Sequence, residues 1–159
     1  MEENVKINTV SEHKDQVHGV LAHSYSAYFV FFLAGVLLDL IFKLKIFNFG
    51  AMQEVGLLLV ILSSFLILWA QKTSRNLKIE NLKKENFLKG PYAVTRSPTH
   101  WGLFFLTLGF GIMTGAFFVV VSTIASHLIS RIVYLRKEEM ILERKYGAPY
   151  LEYKKAVYL

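Results

Sequence analysis

The 159-residue sequence contains no cysteine and only three prolines. The lack of cysteine excludes disulfides, thiolate catalysis and cysteine-ligated metals. The sequence also lacks a Gly-x-Gly-x-x-Gly motif and a Walker-type loop, which excludes cofactor binding of the soluble Rossmann type. Residues 1–23 are polar with interspersed charges and contain no apolar core, so we do not expect a cleavable signal peptide there.

Apolar residues, in contrast, are abundant. They make up 53% of the chain, with 13 Phe and 8 Tyr, and the mean hydropathy is +0.38. This composition is typical of a polytopic membrane protein. A net charge of +6 would suggest nucleic-acid binding in a soluble protein. Here the basic residues flank apolar runs, which favours contact with anionic lipid headgroups, so no nucleic-acid partner is predicted.

Four apolar runs predict an all-α protein of about four transmembrane helices in a single domain. The runs cover about residues 25–42, 55–70, 100–113 and 116–135. Only Thr114-Gly115 separates the last two, which predicts a tight C-terminal helix hairpin over 100–135. The third run would be about 21 Å long, short for a span. The remaining segments are the polar N-terminal 1–23, two spans within 24–70, the connection 71–99 and the tail 136–159.

The basic residues predict the orientation in the membrane. Of the 18 Lys and Arg residues, seven lie between the second and third runs and seven lie from Arg131 onward. Because cytoplasmic loops carry an excess of these residues, the 71–99 connection and the C-terminus are predicted to be cytoplasmic. An even number of spans places the N-terminus on the same side. Gly147-Ala148-Pro149 is predicted to stop the fourth helix.

A polar seam along the fourth run is the first candidate for function. Thr123, His127 and Arg131 are spaced i, i+4 and i+8, and Tyr134 and Glu138 continue the same face. An adjacent stripe consists of Ser122, Ser126 and Ser130. Such residues either join helices by hydrogen bonds or face a bound polar group. For Arg131 and His127 we favour the bound group, while the serines favour helix association.

The second candidate is the stretch from Gly90 to Gly102, where Pro91 and Pro98 interrupt regular helix. Arg96 and His100 are four residues apart, and the Gly90-Pro91 turn places Tyr92. The alternative interpretation is a juxtamembrane turn whose arginine and aromatic rings contact lipid headgroups.

Metal binding has little support. The sequence contains no His-x-x-x-His or Glu-x-x-His pair. His100 and His127 are also predicted to lie at different depths. No metal site is therefore predicted.

The acidic residues near the run ends admit two interpretations. Adjacent carboxylates are expected to point away from each other, so only Glu138 of the Glu138-Glu139 pair is predicted to face the seam. It would accept hydrogen bonds from ribose hydroxyls or balance a cation, unless it simply pairs with Arg136 or Lys137 in solvent. Asp39 is predicted to lie at the membrane interface rather than in a proton relay.

The ordered motif Gly90-Pro91-Tyr92-x-x-x-Arg96-Ser97-Pro98-x-x-x-Gly102 precedes the hairpin. Glu138-Glu139 and Tyr146-Gly147-x-x-Tyr150-x-x-Tyr153-Lys154-Lys155 follow it. Together these motifs resemble the isoprenylcysteine carboxyl methyltransferase family, whose superfamily includes membrane phospholipid methyltransferases. The resemblance covers about residues 70–156. It implies an S-adenosylmethionine pocket open to the cytoplasm and a lipid or lipid-linked acceptor that enters from the bilayer.

The resemblance also implies which residues form the cofactor site. Tyr92 matches the family's cofactor-contacting tyrosine, and Glu138 matches its acidic cofactor contact. The family's His-Pro-x-Tyr segment corresponds to Ser97, Pro98, Thr99 and His100. The histidine of that motif is thus a serine here, and its tyrosine is a histidine. Lys84–Phe87 matches a further cofactor-lining stretch by position alone.

The acceptor side departs further from the family. The family's substrate-binding arginine would fall at Tyr134, and Arg131 lies nearly one turn earlier on the same face. We therefore expect Tyr92, Arg96, Ser97, Pro98, Thr99, His100 and Glu138 at S-adenosylmethionine, and Arg131 and His127 near the acceptor. An amine or hydroxyl acceptor would need a base, supplied by His100 or His127. The alternatives are a membrane reductase of the sterol-reductase type and a non-catalytic membrane scaffold.

Overall fold

The computed structural model describes residues 23–46, 50–75 and 83–157, and its regular elements are helices. In chain order they are α1 (His23–Phe42), α2 (Gly50–Arg75), α3 (Lys84–Phe87), a 3₁₀ turn (Gly90–Ala93), α4 (Pro98–Thr114), α5 (Phe117–Ile129), a π turn (Ser130–Tyr134), α6 (Leu135–Tyr146) and α7 (Ala148–Ala156). One isolated antiparallel bridge joins Lys45 to Ala116. The prediction of an all-α membrane fold is confirmed.

Three helices are long and apolar enough to cross a bilayer. They are α1, α2 and the continuous helix Phe117–Tyr146, which contains α5, the π turn and α6. The third predicted span corresponds to α4, which has 17 residues; this is about 25 Å and shorter than a typical hydrocarbon core. The chain is therefore an integral, multi-pass membrane protein.

Small residues bring α2 and α4 into close contact. The buried residues of α2 recur every seven positions, at Gly56, Ser63 and Ala70. Gly102 and Gly109 of α4 have the same spacing and are also buried. Lipid tails give apolar helices little reason to associate in a bilayer, so close backbone approach is the usual solution. The packing of α2 against α4 supports the site, because α4 carries His100.

The hairpin predicted between α4 and α5 is confirmed. Gly115 ends α4 with φ +66°, a left-handed conformation in which a Cβ would be strained. The first turn of α5 has no cap from its own residues. Instead the Asp39 carboxylate of α1 accepts hydrogen bonds from the backbone N–H groups of Phe118 (3.0 Å) and Val119 (2.9 Å). An interfacial acid predicted from sequence thus stabilises the start of the hairpin's second helix.

Replacing Asp39 by alanine should lower the free energy of unfolding by about 1–2 kcal/mol, because two backbone donors at the start of α5 lose their acceptor. Thermal unfolding in detergent measures the effect. Glu54→Ala is the matched control, since Glu54 is exposed on α2. An Asp39→Ala variant as stable as Glu54→Ala would contradict the capping role.

The π turn changes the register of the long third span. The N–H of Leu135 bonds to the carbonyl of Ser130, a five-residue step that accommodates one extra residue in the helix. In a regular α-helix Ser130 and Glu138 would lie about 80° apart around the axis, but with one extra residue they lie roughly 20° apart. The π turn therefore brings these two side chains onto one face.

The face itself differs from the predicted seam. Thr123, Ser126 and Ser130 are buried at 1–3% exposure, whereas Arg131 is exposed. Of the predicted seam, Thr123 is therefore buried, while Arg131 is exposed. The serine stripe is central, and Arg131 lies at its edge.

The tail folds back after α6. Gly147 has φ +61° and ends α6, as predicted, but the chain then forms α7, which the sequence did not predict. Phe87, Tyr150, Tyr153 and Val157 form a buried cluster, with Tyr92 packed against it. The short α3 and the tail thus pack together around the 3₁₀ turn that carries Tyr92.

Candidate functional site

A continuous hydrogen-bonded chain joins three helices at the site. His100 Nε2 contacts the Glu138 carboxylate at 3.0 and 3.2 Å. His100 Nδ1 lies 3.0 Å from Ser130 Oγ, and Ser130 Oγ lies 3.0 Å from Ser24 Oγ of α1. All four side chains are buried or nearly so, with Glu138 11% exposed. Both ring nitrogens of His100 are therefore engaged.

Glu139 does not join this hydrogen-bonded chain but forms ion pairs of its own. Its carboxylate is 13% exposed and lies 2.7 Å from Arg96 Nη1 and 2.8 Å from Lys154 Nζ. Lys154 additionally donates to Glu143 at 2.6 Å. Of the pair, Glu138 contacts His100 of α4, whereas Glu139 contacts Arg96, which precedes α4, and Lys154 of α7.

His127 and Arg131 lie beside the hydrogen-bonded chain in a narrow cleft. The cleft has a cavity volume of about 10 Å³ and is lined by Tyr28, Ser97, His100, Trp101, His127, Arg131 and Leu135. The predicted difference in depth between His100 and His127 is wrong, since both line this one cleft. Nδ1 of His127 lies 3.0 Å from the Tyr28 hydroxyl. The site therefore includes α1 as well as the hairpin.

The guanidinium of Arg131 lies over the Trp101 ring, 5.9 Å from its centroid. Within the described ranges no carboxylate forms an ion pair with it. A cation within a membrane-spanning helix is costly unless it reaches water, a headgroup or an anionic ligand. Arg131 is thus available to an anionic group at the mouth of the cleft.

Tyr92 is held from two sides. Its phenol interacts with the hydroxyls of Ser74 and Thr99, and its backbone carbonyl accepts a 2.8 Å hydrogen bond from the Tyr153 hydroxyl. Burial raises the pKa of Tyr92 and of Tyr153 above the usual tyrosine range. Both phenols therefore stay neutral hydrogen-bond donors at physiological pH.

The predicted cofactor residues lie close together in space. Pro98 begins α4, Ser97 and His100 line the cleft, and Thr99 contacts Tyr92. Arg96 belongs to the ion pair with Glu139 instead. Whether these side chains bind a cofactor stays a prediction.

Sequence reasoning missed Ser24 and Tyr28, because the first span looked generic. The signal was present nonetheless: Ser24, Tyr28, Gly35 and Asp39 are spaced 4, 7 and 4 residues apart, so they share one helical face. Ser24 and Tyr28 are 0% and 3% exposed. From the sequence Ser130 was expected to join helices, and its hydrogen bond with His100 was not predicted.

The charge around Glu138 suits a cationic ligand. Its negative charge acts on the phenols of Tyr25, Tyr28 and Tyr92, and electron-rich rings beside a carboxylate attract sulfonium and ammonium groups. The cavity of about 10 Å³ is far smaller than the roughly 300–1,000 Å³ of typical small-molecule sites. A ligand enters this cleft only if the lining side chains move.

Comparison with known protein families identifies the family of this chain. The family model described as phospholipid methyltransferase matches residues 51–149, more than half of the chain. No curated protein and no solved structure was found to match. The chain therefore belongs to the phospholipid methyltransferase family, and it is an integral membrane methyltransferase. The match covers residues of α2, the hairpin and both glutamates, whereas Ser24 and Tyr28 of α1 lie outside it.

Proposed function

We propose that the protein transfers a methyl group from S-adenosylmethionine to a lipid or lipid-like acceptor at the cytoplasmic face of the membrane. The observation that carries this proposal is the Glu138 carboxylate, 11% exposed and held by His100 near tyrosine rings. A fixed anion beside aromatic rings matches the positive charge of a sulfonium. Family membership supports methyl transfer in general, while the cofactor, the acceptor and the face of the membrane are part of the proposal.

On the cofactor side, Glu138, His100 and Tyr92 would provide the charged and aromatic contacts. Ser97, Pro98 and Thr99 would form the adjoining wall at the start of α4. Arg96 is proposed to hold this wall through Glu139, because its guanidinium already contacts that carboxylate. S-adenosylmethionine, when bound, supplies an activated methyl group on a cationic sulfur. The residues position the reactants and exclude bulk water.

On the acceptor side, Arg131 and His127 would meet the lipid headgroup. Arg131 offers its charge to a phosphate or carboxylate of the acceptor. His100 has both nitrogens engaged, whereas among the described residues only Nδ1 of His127 is hydrogen-bonded. For an amine or hydroxyl acceptor, His127 is therefore the better candidate to take the proton. A carboxylate acceptor needs no base.

The seven basic residues of the 71–99 connection and the seven from Arg131 onward support a cytoplasmic site. Arg96 and Lys154 belong to these two groups, and both contact Glu139. The predicted orientation thus places the cofactor wall on the side where a soluble cofactor is supplied.

Calorimetric titration of the purified protein with S-adenosylhomocysteine tests the cofactor. We expect saturable 1:1 binding that Tyr92→Ala weakens at least about tenfold, since the variant loses the ring and its hydroxyl contacts. Tyr134→Ala is the control, because Tyr134 lies outside the cleft lining. No binding by the folded wild-type protein would overturn the proposal. The orientation is tested separately, by labelling single cysteines introduced into the 71–99 connection from either side of sealed vesicles.

A further inference from the structure

The buried pair Ser24 and Ser130 has no role in the methyl-transfer chemistry proposed above. Ser24 is 0% exposed and Ser130 is 1% exposed, so neither can meet an acceptor. Each hydroxyl nevertheless has a partner on another helix: Ser130 contacts His100 of α4, and Ser24 contacts Ser130. Serine hydroxyls in helices commonly bond to a carbonyl of their own helix, as Ser126 does to Thr123 at 2.9 Å. The Ser24–Ser130 pair points across the bundle instead.

The chemistry of the imidazole explains what this arrangement does. A carboxylate only accepts hydrogen bonds, so His100 Nε2 must carry a proton and donate it to Glu138. In neutral His100 the other nitrogen, Nδ1, then holds a lone pair and needs a donor. The Ser130 hydroxyl is the group within reach. When it donates to Nδ1, its oxygen can accept a hydrogen bond from the Ser24 hydroxyl. One direction of hydrogen bonding thus satisfies the whole chain.

We propose that Ser130, supported by Ser24, is a positioning residue that fixes the tautomer and the ring orientation of His100 and thereby orients the Glu138 carboxylate. The role rests on the proposed function, because Glu138 is the group expected to face the cofactor. The π turn contributes to this arrangement of Ser130, His100 and Glu138. Without its extra residue, Ser130 and Glu138 would lie about 80° apart on the helix and would not both reach one imidazole.

Loss of the Ser130 hydroxyl removes the donor that specifies the tautomer. The Nδ1–H form would then become accessible, and in that form Nε2 presents a lone pair to the negative Glu138. The carboxylate would lose its hydrogen bond and its fixed position. Residues that orient a catalytic group typically affect turnover more than substrate binding.

The test compares Ser130→Ala with Ser126→Ala. Both serines are buried on the same helix, at 1% and 3% exposure, but among the described residues the Ser126 hydroxyl bonds to the Thr123 carbonyl of its own helix. We expect Ser130→Ala to lower kcat about 10- to 100-fold with a smaller change in KM, and Ser126→Ala to stay within about threefold. Ser130→Thr, which keeps a hydroxyl, should recover most of the activity, and Ser24→Ala should cause a smaller loss than Ser130→Ala.

A spectroscopic measurement separates positioning from general stability. Nitrogen-15 NMR of ring-labelled histidine, with the His100 signal assigned from His100→Gln, reports the tautomer directly. The wild type and Ser126→Ala should show a single Nε2–H form, and Ser130→Ala a mixture. Unchanged kcat and an unchanged tautomer in Ser130→Ala would overturn the inference, as would an equal loss in Ser126→Ala.

The tautomer readout does not require methyl transfer. Failure of the proposed function would appear as a wild-type protein that neither binds S-adenosylhomocysteine nor transfers methyl groups. Failure of the positioning role would appear as an active wild type in which the His100 tautomer is the same with and without the Ser130 hydroxyl. The two results are therefore distinguishable.

Discussion

Glu138→Gln is expected to lower methyl transfer about 100- to 1,000-fold, the largest effect on activity among the variants considered. The carboxylate is 11% exposed and hydrogen-bonded to His100. Glutamine keeps the shape but removes the negative charge that would face a sulfonium. Its amide also presents either a carbonyl or an NH₂ group to His100, which weakens the specified hydrogen bond.

The measurement is transfer of radiolabelled methyl groups from S-adenosylmethionine to the extracted lipids of reconstituted vesicles. Glu143→Gln is the matched control, because Glu143 lies on the same helix and its ion pair within the described residues is with Lys154 of α7. It should retain activity within about threefold. If Glu138→Gln were as active as this control, Glu138 would have no part in the reaction.

Among the variants considered, Gly109→Val is expected to have the largest effect on stability. A Cβ at this position would lie 2.9 Å from the Gly56 carbonyl oxygen, 2.9 Å from Leu59 Cβ and 3.0 Å from the Val60 nitrogen. Two of these atoms belong to the backbone of α2, which cannot move aside as a side chain can. The two helices must separate, and the close packing between them is lost along their length.

We expect Gly109→Val to cost about 3 kcal/mol, equivalent to a fall in Tm of roughly 6–12 °C. The control is Gly50→Val, because a Cβ at Gly50 would meet no atom within 4 Å. It should leave Tm nearly unchanged. Equal stability of the two variants would show that close contact between α2 and α4 does not stabilise the protein.

The elements that sequence reasoning predicted well are those with strong local signals. The apolar runs specify the long helices, because burying polar backbone in a bilayer leaves helix as the available structure. Gly115 specifies the hairpin and Gly147 ends α6, since each adopts a positive φ. The site motifs on α4 and α6 were found for a similar reason: glycine, proline and acidic residues interrupt an apolar pattern at visible positions.

Other features had no comparable local signal. The π turn depends on the packing of α5 and α6 against the other helices and cannot be recognised from the composition of Ser130–Tyr134. Likewise α7 was missed because its stability depends on contacts of Tyr150 and Tyr153 with Phe87, about 60 residues earlier. Side-chain partners across such distances are a property of the folded chain.

By itself the sequence determined the class of this protein: its membrane spans, its helix hairpin and the two segments that carry candidate site residues. Hydropathy and turn residues act within a few positions of each other, so they can be read along the chain. Only the tertiary structure decided which residues meet. The folded structure places Ser24 and Tyr28 of α1 at the site. It also brings Glu138 to His100 and Glu139 to Arg96. Arg131 lies at the edge of the cleft and is exposed. The physical reason is helical register, because one extra residue in a π turn rotates all later side chains by about 100°.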